Sequence, residues 1–224
     1  MNYNIVGGNL PAVIVKLALG ESIVSQAGGR TWARGPVVTE AKAEGGVGKA
    51  FGRMLSGESL MMSVYTAQGA AEIGFASSFP GQIVARELRP GESIIAQKSA
   101  FLCATKGVEL AVHFQKKLGA GLFGGEGFIM QRITGPGTVF FEIDGHCQEY
   151  DLAPGERIVC DTGVLALMDS TCQMDIQMVK GIKNMVFGGE GMFDTVITGP
   201  GKIHLQTMTL SSIAGLIASF LPKK

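Results

Sequence analysis

Charge is scarce in this chain. Lys, Arg, Asp and Glu make up 17% of its 224 residues, 19 basic against 19 acidic, so the formal net charge is zero. Bulk electrostatic attraction to nucleic acid is therefore absent, and any anion site has to come from local clustering of cations. Long apolar runs are missing as well. With no stretch of about 18 apolar residues, no transmembrane helix is expected. The opening Met1-Asn-Tyr-Asn-Ile-Val-Gly-Gly8 has no basic segment leading into a long apolar one, so no secretory signal peptide is expected either. The four cysteines (Cys103, Cys147, Cys160, Cys172) form no CxxC pair. Each lies in or beside an apolar strand-like run, the pattern of buried free thiols in a reducing compartment.

What is abundant is apolar residues, 46% of the chain, and glycine, 33 residues without a collagen period. The glycines are spread through β-branched runs and read as many tight turns. At this length one core or a tightly fused set of repeats is expected, burying on the order of 70% of the unfolded surface. The mean hydropathy of +0.28 points to further surface buried in an oligomer or against a membrane.

Two phrases recur. Leu17-Ala-Leu-Gly-Glu-Ser-Ile23 returns as Leu88-Arg-Pro-Gly-Glu-Ser-Ile94 and as Leu152-Ala-Pro-Gly-Glu-Arg-Ile158. Ser56-Gly-Glu-Ser-Leu60 returns as Gly124-Gly-Glu-Gly-Phe128 and as Gly188-Gly-Glu-Gly-Met192. The first phrase places its glycines at 20, 91 and 155, and the second at 57, 125 and 189. Two markers with one shared period mean three copies of a unit of roughly 65–70 residues.

Within each copy, β-prone runs flank the glycines. Residues 12–17, 82–88 and 147–152 lead into the first turn, and 22–25, 93–96 and 157–160 follow it. Gly20, Gly91 and Gly155 supply the turn, and the carboxylates of Glu21, Glu92 and Glu156 are placed to bond local backbone N–H groups. A second pair of runs surrounds Gln68-Gly69, Gly135-Pro-Gly137 and Gly199-Pro-Gly201. The sum is six expected hairpins, two per copy, and an all-β fold, since no βαβ alternation appears. Connectors separate the halves of each copy. Those starting at Val112 and Val179 read as short helical turns ending before the turn residues Gly125-Glu126 and Gly189-Glu190. Residues 210–221 have helical spacing of Leu210, Ile213, Leu216, Ile217, Phe220 and Leu221.

The motifs Gly-Leu-Phe-Gly-Gly-Glu-Gly (121–127), Phe-Gly-Gly-Glu-Gly (187–191), Pro-Gly-Gln-Ile-Val-Ala (80–85) and Leu-Ala-Pro-Gly-Glu-Arg (152–157) give the chain a family likeness. Over residues 1–209 it resembles bacterial and archaeal relatives of the altered inheritance of mitochondria protein 24 family. The resemblance implies a β-rich fold related to the tryptophan RNA-binding attenuation protein, with three β-units about a pseudo-threefold axis. It implies no catalytic or binding residue, and fold alone does not fix function.

Familiar chemistry is absent. Gly45-Gly-Val-Gly-Lys49 has Ala43 and Ala50 where a phosphate-binding loop needs Gly and Ser/Thr. His113, His146 and His204 occupy unmatched positions, and the neighbours His146 and Cys147 would point to opposite faces of a strand. No nucleophile or acid–base pair stands at a recognisable spacing. Trp32 between Arg30 and Arg34 is a stacking motif without counterparts in the other copies.

One constellation does recur: every connector carries cations, Lys49 and Arg53, then Lys116 and Lys117, then Lys180 and Lys183. Gathered at one end of a threefold arrangement, they would form an anion-binding ring on a neutral protein. Solvated cations at helix ends are the plain alternative. The expectation is an all-β domain over 1–209, with repeats at about 10–78, 79–144 and 145–209, and a helical tail over 210–224. The tail is expected to pack on the β core or a neighbouring subunit, with an interfacial membrane helix as the alternative. The chain is expected to be a non-enzymatic cytoplasmic scaffold or binding module without cofactor or metal. Its expected partners are further copies of itself, as a trimer or ring, and an anionic membrane surface. RNA binding is the second reading and a small-molecule enzyme the third.

Overall fold

The computed structural model describes residues 1–43, 61–116, 127–178 and 193–220. A leading strand, β1 (Asn2–Val6), precedes three sets of six. The first set is β2 (Ala12–Leu17), β3 (Ser22–Gln26), β4 (Trp32–Arg34), β5 (Val37–Ala43), β6 (Met61–Ala67) and β7 (Ala71–Ala76). The second is β8 (Gly81–Leu88), β9 (Ser93–Gln97), β10 (Phe101–Thr105), β11 (Glu109–Lys116), β12 (Phe128–Thr134) and β13 (Gly137–Asp144). The third is β14 (Cys147–Leu152), β15 (Arg157–Asp161), β16 (Leu165–Asp169), β17 (Gln173–Met178), β18 (Phe193–Thr198) and β19 (Gly201–Gln206), followed by the helix α1 (Leu210–Phe220). The all-β expectation and the short C-terminal helix are both borne out. The hydroxyl of Thr209 accepts from the Ser212 N–H at 3.1 Å, capping the helix start.

The strands form four sheets, ordered β1-β2-β7-β4, β5-β6-β3-β10-β13-β8, β11-β12-β9-β16-β19-β14 and β15-β18-β17. This order overturns the six expected hairpins. β2 lies in one sheet and β3 in another; β8 and β9, β14 and β15, and the pairs around the second turns are divided in the same way. The glycine turns are corners that carry the chain from sheet to sheet. The hairpins are instead β1–β2 at the start of the chain and β5–β6, β11–β12 and β17–β18, these three each joined by one of the connectors. Period-two alternation is the same for a strand paired across its turn and for one that leaves its neighbour at the turn, which is why sequence misplaced the partners. Residues 112–116, expected in a helical turn, belong to strand β11.

Two compact units divide the chain, each discontinuous in sequence: Met1–Glu92 with Ser99–Val112 and Ile133–Ile143, and Ser93–Lys98 with His113–Arg132 and Asp144–Lys224. The first buries Val13, Val15, Ile23, Tyr65, Ile73, Phe75, Cys103 and Phe140 in one cluster, drawn from its two sheets. Tyr65 and Phe75 meet edge to face at 5.9 Å. The second unit buries Ile95, Phe128, Met130, Leu165, Met168, Ile197 and Ile203. In both, alternate residues of facing sheets interdigitate to make the core.

Candidate functional site

The repeated turn is built by its own glutamate. Gly20, Gly91 and Gly155 sit at φ +82°, +80° and +80°, left-handed values that favour glycine. Three residues before each Glu, a backbone N–H donates to its carboxylate: Ala18 to Glu21 at 2.8 Å, Arg89 to Glu92 at 2.9 Å and Ala153 to Glu156 at 2.8 Å. The Glu N–H in turn donates to the carbonyl of that same residue, at 3.1, 3.0 and 3.0 Å. A carboxylate engaged by backbone N–H groups in this way is positioned for structure rather than for proton transfer.

Each such corner is bonded to a glycine turn further along the chain. Ala67 N–H donates to Glu21 O at 3.0 Å, Gly135 to Glu92 O at 3.0 Å and Gly199 to Glu156 O at 2.9 Å. Two chain crossings therefore lie side by side. The approach is tight enough that a Cβ at Gly199 would stand 2.5 Å from Ala153 O and 2.7 Å from Leu152 Cβ. At Gly135 the same test meets Arg89 O at 2.6 Å and Leu88 Cβ at 2.7 Å. These contacts explain why glycine stands first in both Gly-Pro-Gly turns, 135–137 and 199–201.

Of the candidate cations only Lys116 falls within the described residues. Lys49, Arg53, Lys117, Lys180 and Lys183 lie outside them, as do the turn residues Gly125, Glu126, Gly189 and Glu190. Lys116, the last residue of β11, donates from Nζ to Ile176 O of β17 at 3.1 Å. In the second unit the root of the second connector thus touches the strand that leads into the third.

The remaining candidates resolve into packing. Trp32 lies across Gly74, where a Cβ would collide with the indole. Arg30 stands over the Tyr65 ring at 5.4 Å and Arg34 faces Glu72 at 3.8 Å. His113 receives Arg132 Nη2 at 3.4 Å, and burial first, then the Arg132 charge, lowers its pKa. All four cysteines are free thiols. Cys103 and Cys172 are buried, and burial pushes Cys160 up to about 12, helped by Asp161 and Asp194. No cluster of three or more His, Cys, Asp or Glu able to hold a metal occurs among the described residues. Nor is any helix among them long and apolar enough to cross a membrane. On α1, Leu210, Ile217 and Phe220 are 52, 55 and 81% exposed, so these side chains do not pack into the β core.

Sequence reading missed the buried polar groups. His204, 1% exposed in β19, brings Nε2 to 3.2 Å from Glu149 Oε1, directly across the strand pair. Gln206 Nε2 donates to Gly163 O at 2.7 Å, while its Oε1 accepts from Asp144 N–H at 3.2 Å. Burial holds the Asp144 carboxyl up at about 6. Gln131 of β12 is fully buried, with neither amide atom hydrogen-bonded among the described residues. Thr195 stands at the matching place in β18, four residues before Gly199 as Gln131 is before Gly135. It is also fully buried and donates to Thr162 Oγ1 at 3.3 Å. A polar residue spaced alike before two equivalent glycines was the available signal.

Comparison with known proteins places the chain. The family model described as Mitochondrial biogenesis AIM24 matches residues 3–208. An uncharacterized protein of Streptococcus pyogenes serotype M6 is 30% identical over 220 residues, covering 95% of this chain and 87% of that protein. The crystal structure of a Streptococcus pyogenes protein from a structural-genomics programme aligns with a TM-score of 0.80 at 24% identity. It covers 98% of this chain and 99% of that one, and at that identity it speaks for the fold alone.

Proposed function

The chain belongs to the Mitochondrial biogenesis AIM24 family, and on that premise we propose that it is a non-enzymatic scaffold whose basic connectors meet an anionic membrane surface. The observation that carries this reading is where the connectors leave the fold. Each joins the two strands of a hairpin, and the root of the second is fixed against the strand leading into the third by the Lys116 Nζ to Ile176 O bond of 3.1 Å. Lys117, Lys180 and Lys183 therefore belong to chain segments that start from neighbouring strands. Local clustering of this kind gives a neutral protein a cationic face.

Two further observations support a scaffold. The same side-by-side order recurs three times (β3-β6-β5, β9-β12-β11, β15-β18-β17), consistent with three copies of one unit. The carboxylates that repeat with it, Glu21, Glu92 and Glu156, are engaged by backbone N–H groups. A threefold motif committed to turn chemistry supplies shape, and the connectors, which repeat in charge alone, supply contact.

The test is flotation of the purified protein with vesicles of phosphatidylcholine alone and of phosphatidylcholine with anionic phospholipid, at low and high salt. Binding confined to anionic vesicles and lost at high salt is expected. Equal flotation with both compositions, or none with either, overturns the reading. Competition by single-stranded RNA that strips the protein from vesicles assigns the face to nucleic acid instead.

A further inference from the structure

The helix α1 carries its apolar face outward. At about 100° per residue, Leu210, Ile213, Leu216, Ile217 and Phe220 share an arc of roughly 120°, with Ser211, Ser212 and Gly215 on the opposite side. A surface helix ordinarily turns such an arc onto its own core. Here Leu210, Leu216, Ile217 and Phe220 are 52, 64, 55 and 81% exposed, and neither core cluster draws a residue from α1. No charged residue stands between Leu210 and Phe220. An apolar arc that the fold leaves open in this way marks a contact with something other than its own core.

The root of α1 points to the occupant. Gln206, the last residue of β19, is tied to the segment 162–164: its N–H donates to Val164 O at 2.9 Å and its Nε2 to Gly163 O at 2.7 Å. The other end of that segment holds the return of the third connector. Thr162 donates from its N–H and its hydroxyl to Phe193 O, at 3.1 and 2.8 Å, and Phe193 is the first strand residue after that connector. Three consecutive residues thus join the root of α1 to the root of the segment that carries Lys180 and Lys183. Lys223 and Lys224 follow the helix in sequence, past Pro222. An apolar arc rooted beside one pair of lysines and followed by another matches the boundary of an anionic leaflet, where acyl chains take the arc and headgroups the cations.

We propose that α1 is a membrane anchor that lies flat in the surface the connectors meet, with the arc of Leu216, Ile217 and Phe220 sunk among the acyl chains. The proposal rests on the anionic-surface reading and adds a second, apolar signal to it. Eleven residues at 1.5 Å each give about 16 Å, half of the roughly 30 Å hydrocarbon core, so the helix lies in the interface and does not cross it. With an uncharged polar side of Ser211, Ser212 and Gly215, α1 has no charged hold on headgroups of its own and depends on the connectors for delivery. The two signals act in series. The cations bring this end of the fold to the leaflet, and burial of the arc holds it there.

Phe220→Trp reports insertion directly. On vesicles of phosphatidylcholine with anionic phospholipid, its emission is expected to shift to the blue and to be quenched by lipid brominated on the acyl chains, over the baseline that Trp32 gives in the parent. Leu216→Ser combined with Phe220→Ser removes two exposed side chains, so the far-UV spectrum and the mass in native mass spectrometry are expected to match the parent's. Affinity for anionic vesicles is expected to fall roughly tenfold for each of the two. The slope of affinity against salt is expected to stay the same, because every cation remains. A shallower slope is instead the signature of lost connector cations, which separates the two readings. Bound Phe220→Trp protein with unquenched emission, or unchanged affinity in the double variant, overturns the anchor and leaves the anionic-surface reading standing. A parent that binds neither neutral nor anionic vesicles overturns both. A double variant of altered mass assigns the arc to another copy of the chain and overturns the anchor as well.

Discussion

Replacing Gly199 by Ala tests whether the glycine turns are crossing corners. The added Cβ would stand 2.5 Å from Ala153 O, 2.7 Å from Leu152 Cβ and 2.8 Å from Leu152 O. Two of those atoms are backbone, so relief requires the two crossings to separate. Separation strains the Gly199 N–H to Glu156 O bond of 2.9 Å and the Gly155 N–H to Gly199 O bond of 3.4 Å. Overpacking of this kind costs about 1–3 kcal/mol, and a weakened hydrogen bond adds roughly 1 kcal/mol. The expected loss is about 3 kcal/mol, which for a chain of this size lowers Tm by roughly 6–12 °C. Gly155 offers the contrast within the same corner. Its φ is +80°, but a Cβ there meets nothing within 4 Å. Gly155→Ala then costs only left-handed backbone strain, about 1 kcal/mol, and Gly155→Asn recovers most of it because Asn tolerates that conformation. Urea unfolding followed by far-UV circular dichroism gives the ordering. A Gly199→Ala protein as stable as Gly155→Ala would refute the double crossing.

Other perturbations have signs fixed by the same structure. Glu156→Gln removes the charge from the acceptor of the Ala153 N–H and is expected to cost about 1 kcal/mol in urea unfolding, the group being exposed. Its equivalents Glu92→Gln and Glu21→Gln should cost similar amounts, and a loss at only one of the three would contradict a shared turn role. Asp144 titrates near 6 because burial disfavours its charge, above its ordinary value of 3.8. A raised carboxyl pKa favours the folded state at low pH. The Asp144 contribution should therefore be lost as pH rises from about 4 through 6, and Asp144→Asn should flatten that part of the stability–pH profile. Cys160, held up at about 12 by burial and two aspartates, should resist iodoacetamide at neutral pH until the chain is unfolded in denaturant.

Much of this fold was legible in the sequence, and the reasons differ by element. Strand positions were legible because alternating runs such as Ala12–Leu17 and Arg157–Asp161 show their period directly, and the helix over Leu210–Phe220 because Leu210, Ile213 and Ile217 show theirs. The Glu21, Glu92 and Glu156 turns were legible because Gly-Glu after Leu-x-x specifies a left-handed glycine and a local acceptor. Strand partners were not legible. A glycine turn between two β runs reads the same whether the chain folds back beside itself or passes to another sheet. That choice is made by backbone bonds such as Gly199 to Glu156, which join residues 43 positions apart. His204, Gln131 and Thr195 were hidden for a related reason, since a polar residue in an alternating run normally marks the solvent face. The connector cations were found by their recurrence in charge, and of them the structure fixes Lys116 alone.

The most direct measurement of the central claim is vesicle affinity as connectors are neutralised in turn, with Lys117→Gln, Lys180→Gln and Lys183→Gln made singly and together. Lys116 is left in place because its Nζ holds Ile176 O. A cation near an anionic surface contributes about 1 kcal/mol, so each change should weaken binding roughly fivefold and the triple variant by about a hundredfold. The slope of affinity against salt should become shallower with each cation removed. Unchanged affinity in the triple variant, with its fold intact by circular dichroism, would contradict a cationic face built from these connectors.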